Sequence, residues 1–170
     1  MLKPPINFKN WIESNRHLLK PPVGNQVVYD QGDFMIMVVG GPNSRKDYHV
    51  DPVEEFFFQL EGDMLLQVIE NGQRVDISIK EGEIFLLPKN LPHSPQRFKD
   101  TVGLVIEYKR KEGALDSFQW YCDECNSLLH EVSLQLEDIV EQLPPLFKSY
   151  WKDIDSRTCT RCGAVQEPPD

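Results

Sequence analysis

The chain has 170 residues and a formal net charge of −9 at pH 7. This length suits one domain with a substantial core and a small appendage, and the acidic balance argues against binding to nucleic acid or to an anionic membrane. No apolar stretch approaches the roughly 20 residues of a membrane-spanning helix, and the first residues lack the apolar core of a signal peptide. The sequence therefore predicts a cytoplasmic protein.

The first predicted element is a short helix over residues 7–19. Its apolar residues recur at roughly helical spacing, at Phe8, Trp11, Ile12 and Leu18. Pro21 and Pro22 follow and end the helix, because a proline inside it would remove a backbone hydrogen bond and clash with the preceding turn.

Short strand-like runs separated by turn residues come next. They lie at residues 26–29, 34–39, 54–60, 64–69, 75–79, 84–87, 97–98 and 102–108. Asn71 and Gly72 separate two of these runs, and Asn-Gly is the strongest short signal for a hairpin. No helix long enough for a parallel crossover is predicted between residues 34 and 108. Many short strands with regular turns indicate a mainly β, antiparallel barrel or sandwich.

The pattern changes after residue 109. We predict a strand at residues 128–134 and a helix at residues 139–151, interrupted or restarted at Pro144 and Pro145, where proline suits a first helical turn. The chain therefore divides into two predicted parts. Residues 1–110 form a barrel with an N-terminal helix, and residues 111–170 form a C-terminal extension with a four-cysteine metal site, packed on the barrel.

Two segments resemble the paired metal-binding motifs of cupins, which are jelly-roll barrels also described as double-stranded β-helices. The segments run Gly41-x5-Asp47-x-His49-x5-Glu55-x6-Gly62 and Gly82-x5-Pro88-x-Asn90-x2-His93-x3-Arg97. The resemblance implies that His49, Glu55 and His93 hold one metal ion. Such a set leaves neighbouring positions open, as a non-haem Fe(II) oxygenase requires, although the same ligand types also suit Zn, Ni or Mn.

Two adjacent glutamates compete for the carboxylate position. Alternate residues of a strand share a face, so Glu54 and Glu55 point to opposite sides of the sheet. The spacing to Gly62 favours Glu55 as the ligand and leaves Glu54 facing away. Asp47 stands where the common motif has its first histidine, and it could itself bind the metal.

Two arginines lie four residues from the histidines, Arg45 before His49 and Arg97 after His93. Even spacing along a strand can put both guanidinium groups in the barrel mouth, where they would suit a substrate carboxylate. Surface ion pairs of little energetic consequence are the alternative. Glu107 lies among apolar strand residues. It could accept a hydrogen bond from a substrate amine, orient an arginine or form an ordinary buried Arg–Glu pair.

Residues 40–49, 54–62 and 85–97 closely resemble the 3-hydroxyanthranilate 3,4-dioxygenases, and the likeness extends to residues 18–25 and to the cysteine tail. The resemblance implies that His49, Glu55 and His93 hold the catalytic Fe(II). It implies substrate binding by Arg45, Arg97, Glu107, the ligand Glu55 and Asn25. The last of these would lie on a loop that closes over the site.

The activity implied by this resemblance is Fe(II)-dependent, extradiol-type opening of the 3-hydroxyanthranilate ring with O2. The product would be 2-amino-3-carboxymuconate semialdehyde, the precursor of quinolinate in the kynurenine route from tryptophan to NAD. Analogy with other cupins adds a homodimer. The alternatives are another metal-dependent cupin enzyme and a non-catalytic cupin that binds a small molecule.

Four cysteines form a separate pair of motifs, Cys122-x2-Cys125 and Cys159-x2-Cys162. In a reducing compartment such spacing predicts a closed tetrahedral site of four thiolates rather than disulfides. The spacing does not distinguish a rubredoxin-like iron from a zinc. A closed site has no open position for substrate, and the family resemblance implies that turnover does not need it.

Overall fold

The computed structural model describes residues 4–21 and 24–169. In this part of the chain the helices are α1 (Phe8–Asn15), α2 (Ile139–Lys152) and α3 (Ile154–Arg157), with a 3-10 turn at Arg16–Leu18. The strands are β1 (Asn25–Tyr29), β2 (Phe34–Gly40), β3 (Asp47–Val50), β4 (Glu55–Glu61), β5 (Met64–Glu70), β6 (Gln73–Ile79), β7 (Ile84–Leu87), β8 (His93–Arg97), β9 (Val102–Tyr108), β10 (Asp116–Tyr121) and β11 (Leu128–Leu134). None of these helices is long and apolar enough to cross a membrane.

The strands form two antiparallel sheets with a common core. The first has the order β1-β2-β9-β4-β7 and the second β11-β10-β3-β8-β5-β6. The core joins buried residues of both sheets: Met37, Val39, Phe57, Leu87 and Val105 from the first, and Met64, Leu66, Val68 and Ile79 from the second. The predicted mainly β, jelly-roll architecture with a few short helices is confirmed.

Strand β4 alternates between a buried and a partly exposed face. Glu55, Phe57 and Gln59 are buried, because successive side chains of a pleated strand point to opposite sides. Glu54, just before the strand, is exposed. The pleat thus directs the favoured glutamate into the barrel and leaves its neighbour outside.

The hairpin between β5 and β6 forms where the sequence predicts it. Asn71 and Gly72 have φ values of 51° and 74°, as a tight two-residue turn with both φ angles positive requires. The ladder then runs without a shift from Glu70 opposite Gln73 to Met64 opposite Ile79.

The N-terminal helix is shorter than predicted. The Asn7 side chain accepts a hydrogen bond from the Asn10 amide and caps α1, which ends at Asn15 before a 3-10 turn. The change of helical period explains why Leu19 is buried and Leu18 is exposed, the reverse of the predicted stripe. The predicted helix-breaking pair includes Pro22, which lies outside the described residues.

Strand β8 differs from the prediction. A strand was expected at residues 97–98, but β8 spans His93–Arg97, and Phe98 follows it as an exposed residue. Pro95 within β8 hides the strand in the sequence, because proline cannot donate to a ladder. Two short strands, β3 and β10, were also missed. Each is only four to six residues long and begins with an aspartate, which is uncommon in strands.

The second sheet continues beyond residue 110. Strand β10 pairs with β3 on one side and with β11 on the other. Helix α2 then packs Leu143 and Tyr150 against Phe118 and Trp120 of β10. The division of the chain at residue 110 stays a prediction, and the sheet is continuous across it.

Candidate metal centre and substrate site

His49, Glu55 and His93 come together from three strands. His49 on β3 lies directly opposite His93 on β8, and Glu55 begins β4 in the other sheet. Glu55 Oε1 is 2.9 Å from His93 Nε2 and 3.9 Å from His49 Nδ1. One donor atom from each residue fits within 4.8 Å of the other two. The two sheets therefore bring three potential ligands to one point.

The hydrogen bonds around the rings indicate which atoms remain available. His93 Nδ1 lies 3.0 Å from the Leu91 carbonyl, and His49 Nε2 lies 2.8 Å from Asp116 Oδ1. When these nitrogens donate, His93 Nε2 and His49 Nδ1 carry lone pairs. Glu55 Oε1 is also buried and accepts no hydrogen bond. Three electron-rich atoms converge on one small space, so the residues fit a bound cation.

The protonation preferences of the three residues agree with this arrangement. Burial lowers the pKa of His49. Burial also acts to lower the pKa of His93, but the neighbouring Glu55 charge outweighs it and raises that pKa. The pKa of Glu55 is lowered by the histidines despite its burial. The Glu55 charge thus favours a positive charge at His93, and a bound metal ion would supply one.

A cavity of about 110 Å³ adjoins the three residues. It is lined by all five side chains predicted to bind substrate, which are Asn25, Arg45, Glu55, Arg97 and Glu107. A larger cavity of about 490 Å³ shares Asn25 and Arg110 with it and lies towards α2. The structure therefore brings the predicted metal ligands and the predicted substrate residues into one pocket.

Arg97 is a buried cation without a carboxylate partner. Only 4% of its surface is exposed, and its Nη1 donates a hydrogen bond to Gln59 Oε1 at 3.2 Å. No acidic group in residues 4–21 and 24–169 lies within ion-pair distance of it. Burial lowers the pKa of Arg97 to about 10, so it remains charged at neutral pH. A buried charge of this kind favours an anionic ligand.

Arg45 differs from Arg97 in having a carboxylate partner. Its guanidinium group forms an ion pair with Asp47, two residues along the chain. Burial acts to lower the pKa of Arg45, but the Asp47 charge raises it overall. Asp47 therefore holds an arginine at the pocket rim, and it stands outside the group formed by His49, Glu55 and His93.

Glu107 pairs with Arg110, a residue that the sequence did not single out. Arg110 also lies 2.5 Å from Asp51 Oδ2 and 3.0 Å from Asp116 Oδ1. Glu107 thus forms a buried Arg–Glu pair and also lines the pocket, and its predicted role toward a substrate stays a prediction. Glu107 and Arg110 are three residues apart, but the contacts to Asp51 and Asp116 depend on the tertiary fold.

Asp116 and Phe118 support His49 and were also missed. Both lie on β10, which pairs alongside β3 with Phe118 opposite His49. The Phe118 ring stacks on the His49 ring, with centroids 5.0 Å apart and planes inclined by 15°. Asp116 is fully buried and holds the other edge of that ring. No local motif marks these residues, because a strand outside both histidine motifs supplies them.

Replacing Asp116 with alanine should weaken metal binding at the histidine site by about 10- to 100-fold, since the partner that orients a ligating imidazole would be lost. Asp116→Asn keeps the shape and one acceptor oxygen, so it should lose less. Metal affinity measured by competition with a chelator checks this result. An affinity in Asp116→Ala equal to that of the wild type would exclude an orienting role.

Asn25 is the first residue of β1, opposite Val39 of β2, rather than part of a free loop. It lines the pocket together with Leu136, Ile139 and Leu143 from the C-terminal part of the chain. Its predicted role in a closing loop involves residues 22 and 23, which lie outside the described part. Asn25 therefore has the position expected of a pocket residue, and its role stays a prediction.

The four cysteines form a second cluster. Cys122 Sγ is 3.6 Å from Cys162 Sγ, and Cys125 Sγ is 3.5 Å from Cys159 Sγ. Sulfur atoms bound at 2.3 Å around a tetrahedral metal would be about 3.8 Å apart. The two motifs also fold alike, because the Cys122 and Cys159 amides donate to the carbonyls of Ser127 and Ala164, both at 2.8 Å. The geometry fits one closed tetrahedral metal site.

Sequence comparison places this arrangement in a known family. The family described as 3-hydroxyanthranilic acid dioxygenase matches residues 1–151. The chain belongs to this family. A 3-hydroxyanthranilate 3,4-dioxygenase from Jannaschia sp. (strain CCS1) is 55% identical over 169 residues, covering 97% of this chain and 94% of the relative. One from Xanthomonas campestris pv. campestris (strain 8004) is 52% identical over 170 residues, covering 100% and 96%.

Solved structures give a weaker likeness to this member of the 3-hydroxyanthranilic acid dioxygenase family. A cupin-2 domain containing protein from Shewanella frigidimarina superposes with a TM-score of 0.48 at 20% identity, covering 61% of this chain and 94% of that one.

Proposed function

We propose that the protein opens the ring of 3-hydroxyanthranilate with O2 and releases 2-amino-3-carboxymuconate semialdehyde. Both oxygen atoms enter the product, so no further reductant is needed. The observation that carries this proposal is that buried Arg97, which has no ion-pair partner among the described residues, lies in the same pocket as three converging metal donors. An aromatic substrate with a carboxylate satisfies both features. Family membership and relatives above 50% identity support the choice of substrate.

His49, Glu55 and His93 would hold Fe(II) in this proposal. When bound, Fe(II) supplies the electron-transfer chemistry that lets O2 react with an aromatic ring. The three side chains occupy one region of the site and leave space on the side of the pocket, where a substrate can approach. We propose Fe or Zn at the four cysteines, with a structural rather than catalytic role.

The remaining pocket residues would position the substrate. Arg97 would bind its carboxylate through two parallel N–H donors, with Arg45 at the pocket rim beside it. Glu107 and Asn25 would face the amino group and the outer edge of the ring. These contacts would fix the ring in one orientation, with the carbon to be attacked towards the metal site. Fixing the reactants in this way lowers the entropic part of the barrier.

Two other functions remain as rivals to be tested. A different metal-dependent cupin enzyme would use the same three ligands, and a non-catalytic cupin would bind a small molecule without changing it. The buried arginine beside an open metal site favours an enzyme acting on an aromatic acid. In the cell this activity would lead to quinolinate and NAD. We also propose a cytoplasmic location, which suits the free cysteines.

A direct assay tests the function. The protein is loaded with Fe(II) without oxygen, mixed with 3-hydroxyanthranilate and then exposed to O2. Product formation, followed by absorbance, and oxygen consumption should begin together, and the moles of product formed should equal the moles of O2 consumed. Absence of both, in protein shown to contain iron at the histidine site, would remove the proposed function. Binding of the substrate without turnover would favour the non-catalytic rival.

We further propose a homodimer through the outer face of the first sheet. Two apolar rows cross this face from strand to strand: Ile36, Ile106, Phe56 and Leu86 in one, and Val38, Leu104, Phe58 and Ile84 in the other. Ile84 and Leu86 are 64% and 56% exposed. The N-terminal helix covers part of this face, because Val38 is fully buried against Ile12 and Leu19, while Ile84 and Leu86 remain exposed at the β7 edge. A second copy is the commonest cover for an exposed apolar edge of this kind.

Replacing Leu86 with glutamate should convert the dimer to a monomer, because the new charge would be buried without a partner at the interface. Ile154→Glu is the matched control, since Ile154 is 51% exposed on α3 and lies outside both rows. Sedimentation equilibrium gives the mass of each variant. A wild-type monomer, or a Leu86→Glu variant that remains dimeric, would refute this interface.

A further inference from the structure

Gln59 holds the Arg97 guanidinium group in the barrel interior. It is 1% exposed and lies on the same face of β4 as Glu55. Its Nε2 donates to the Glu61 carbonyl at 3.2 Å, and its Oε1 accepts from Arg97 Nη1 at 3.2 Å. The Glu61 contact fixes the orientation of the amide, so the oxygen and not the NH2 group faces the arginine.

Gly103 provides the space in which this contact forms. It lies opposite Gln59 in the ladder between β4 and β9. A Cβ atom at this position would be 2.5 Å from Arg97 Nη1 and 2.9 Å from Gln59 Oε1. The φ angle of Gly103 is not in the left-handed region, so backbone conformation does not require glycine here. Glycine is required at this position because the Arg97 guanidinium group approaches it closely.

The main chain of Arg97 is fixed independently. Its amide donates to the Asn43 carbonyl at 3.0 Å, and its carbonyl accepts from the Asn43 amide at 2.9 Å. With the backbone held in this way, Gln59 and Gly103 determine where the guanidinium group lies. A glutamine of almost the same shape as glutamate gives the arginine one acceptor but no negative charge.

We infer that Gln59 and Gly103 are positioning residues that hold Arg97 without neutralising it, so that its full charge is available to a substrate carboxylate. This inference rests on the proposed function, because it concerns the same ligand. A glutamate at position 59 would occupy the same space, form a buried ion pair with Arg97 and compete with the substrate. The neutral amide would therefore determine specificity for an aromatic acid over the corresponding neutral phenol.

Two variants and two ligands test this inference. Gln59→Glu is compared with the wild type for anaerobic binding of 3-hydroxyanthranilate and of 2-aminophenol, which lacks the carboxylate. The affinity for 3-hydroxyanthranilate should fall about 10- to 100-fold, as expected when a charge-assisted bond is lost, while that for 2-aminophenol changes little. Gln73→Glu is the control, because it makes the same change on the exposed end of β6.

Gly103→Ala provides a second test that adds no charge. Its Cβ would displace the guanidinium group, so the preference for the carboxylate-bearing ligand should again decrease while iron content is retained. Equal losses for both ligands would indicate a structural role for these residues and overturn the inference. An unchanged preference in both variants would overturn it as well. Failure of wild-type protein to bind 3-hydroxyanthranilate would instead refute the proposed function.

Discussion

Replacing His93 with alanine should remove the metal from the histidine site and lower activity at least about a thousandfold, because metal ions contribute several kcal/mol to such reactions. His93 is 2% exposed and contacts Glu55 at 2.9 Å, so its loss removes one of the three donors from the buried site. The Glu55 carboxylate would also lose its closest partner. Metal analysis should find two ions per chain in the wild type and one in the purified variant.

The cysteine site gives the reciprocal result. Cys122→Ser should also leave one ion per chain, but at the histidine site, and most of the activity should remain. For the His93→Ala variant, His17→Ala is the control for the loss of an imidazole, because His17 is exposed near the N-terminus. Full activity in His93→Ala would refute the assignment of the catalytic metal. Loss of activity in a folded Cys122→Ser variant with its histidine site loaded would refute the separation of the two sites.

Replacing Arg97 with alanine should raise KM for 3-hydroxyanthranilate by about 10- to 100-fold, the effect of losing one charge-assisted contact worth about 1.5–3 kcal/mol. Iron affinity should change far less, because Arg97 contacts Gln59 rather than a metal ligand. Steady-state kinetics and chelator competition measure the two effects separately.

Arg16→Ala is a matched control for Arg97→Ala. Arg16 already pairs with Glu13 and Glu61 at the surface, where such contacts contribute little. Its loss should leave KM unchanged. Equal losses of substrate and iron affinity in Arg97→Ala would point to a general structural role and would contradict substrate binding.

The sequence predicted the centre of the site better than its surroundings. His49, Glu55 and His93 belong to two recognisable motifs. The pleat showed that only one of Glu54 and Glu55 could face the barrel, and the spacing to Gly62 chose Glu55. Such information is local, because it depends on distances along one or two strands. The same local reasoning predicted the Asn71-Gly72 hairpin.

The supporting residues could not be predicted in this way. Asp116 and Arg110 lie far along the chain from His49 and Asp51, and their contacts exist only once β10 pairs with β3. Gly103 looks like a weak point in a strand until the guanidinium group beside it is seen. These interactions depend on which strands become neighbours, which no single motif in the sequence encodes.

Strand β10 has a consequence for any attempt to shorten this protein. One end of the strand carries Asp116 and Phe118, which hold His49, and the other end leads directly into Cys122. A fragment that stops at residue 110 would retain every proposed metal ligand of the histidine site and every proposed substrate residue. It would still lack Asp116 and Phe118, which hold the His49 ring in place. The smallest active fragment therefore has to include β10, even if it lacks the metal site formed by the four cysteines.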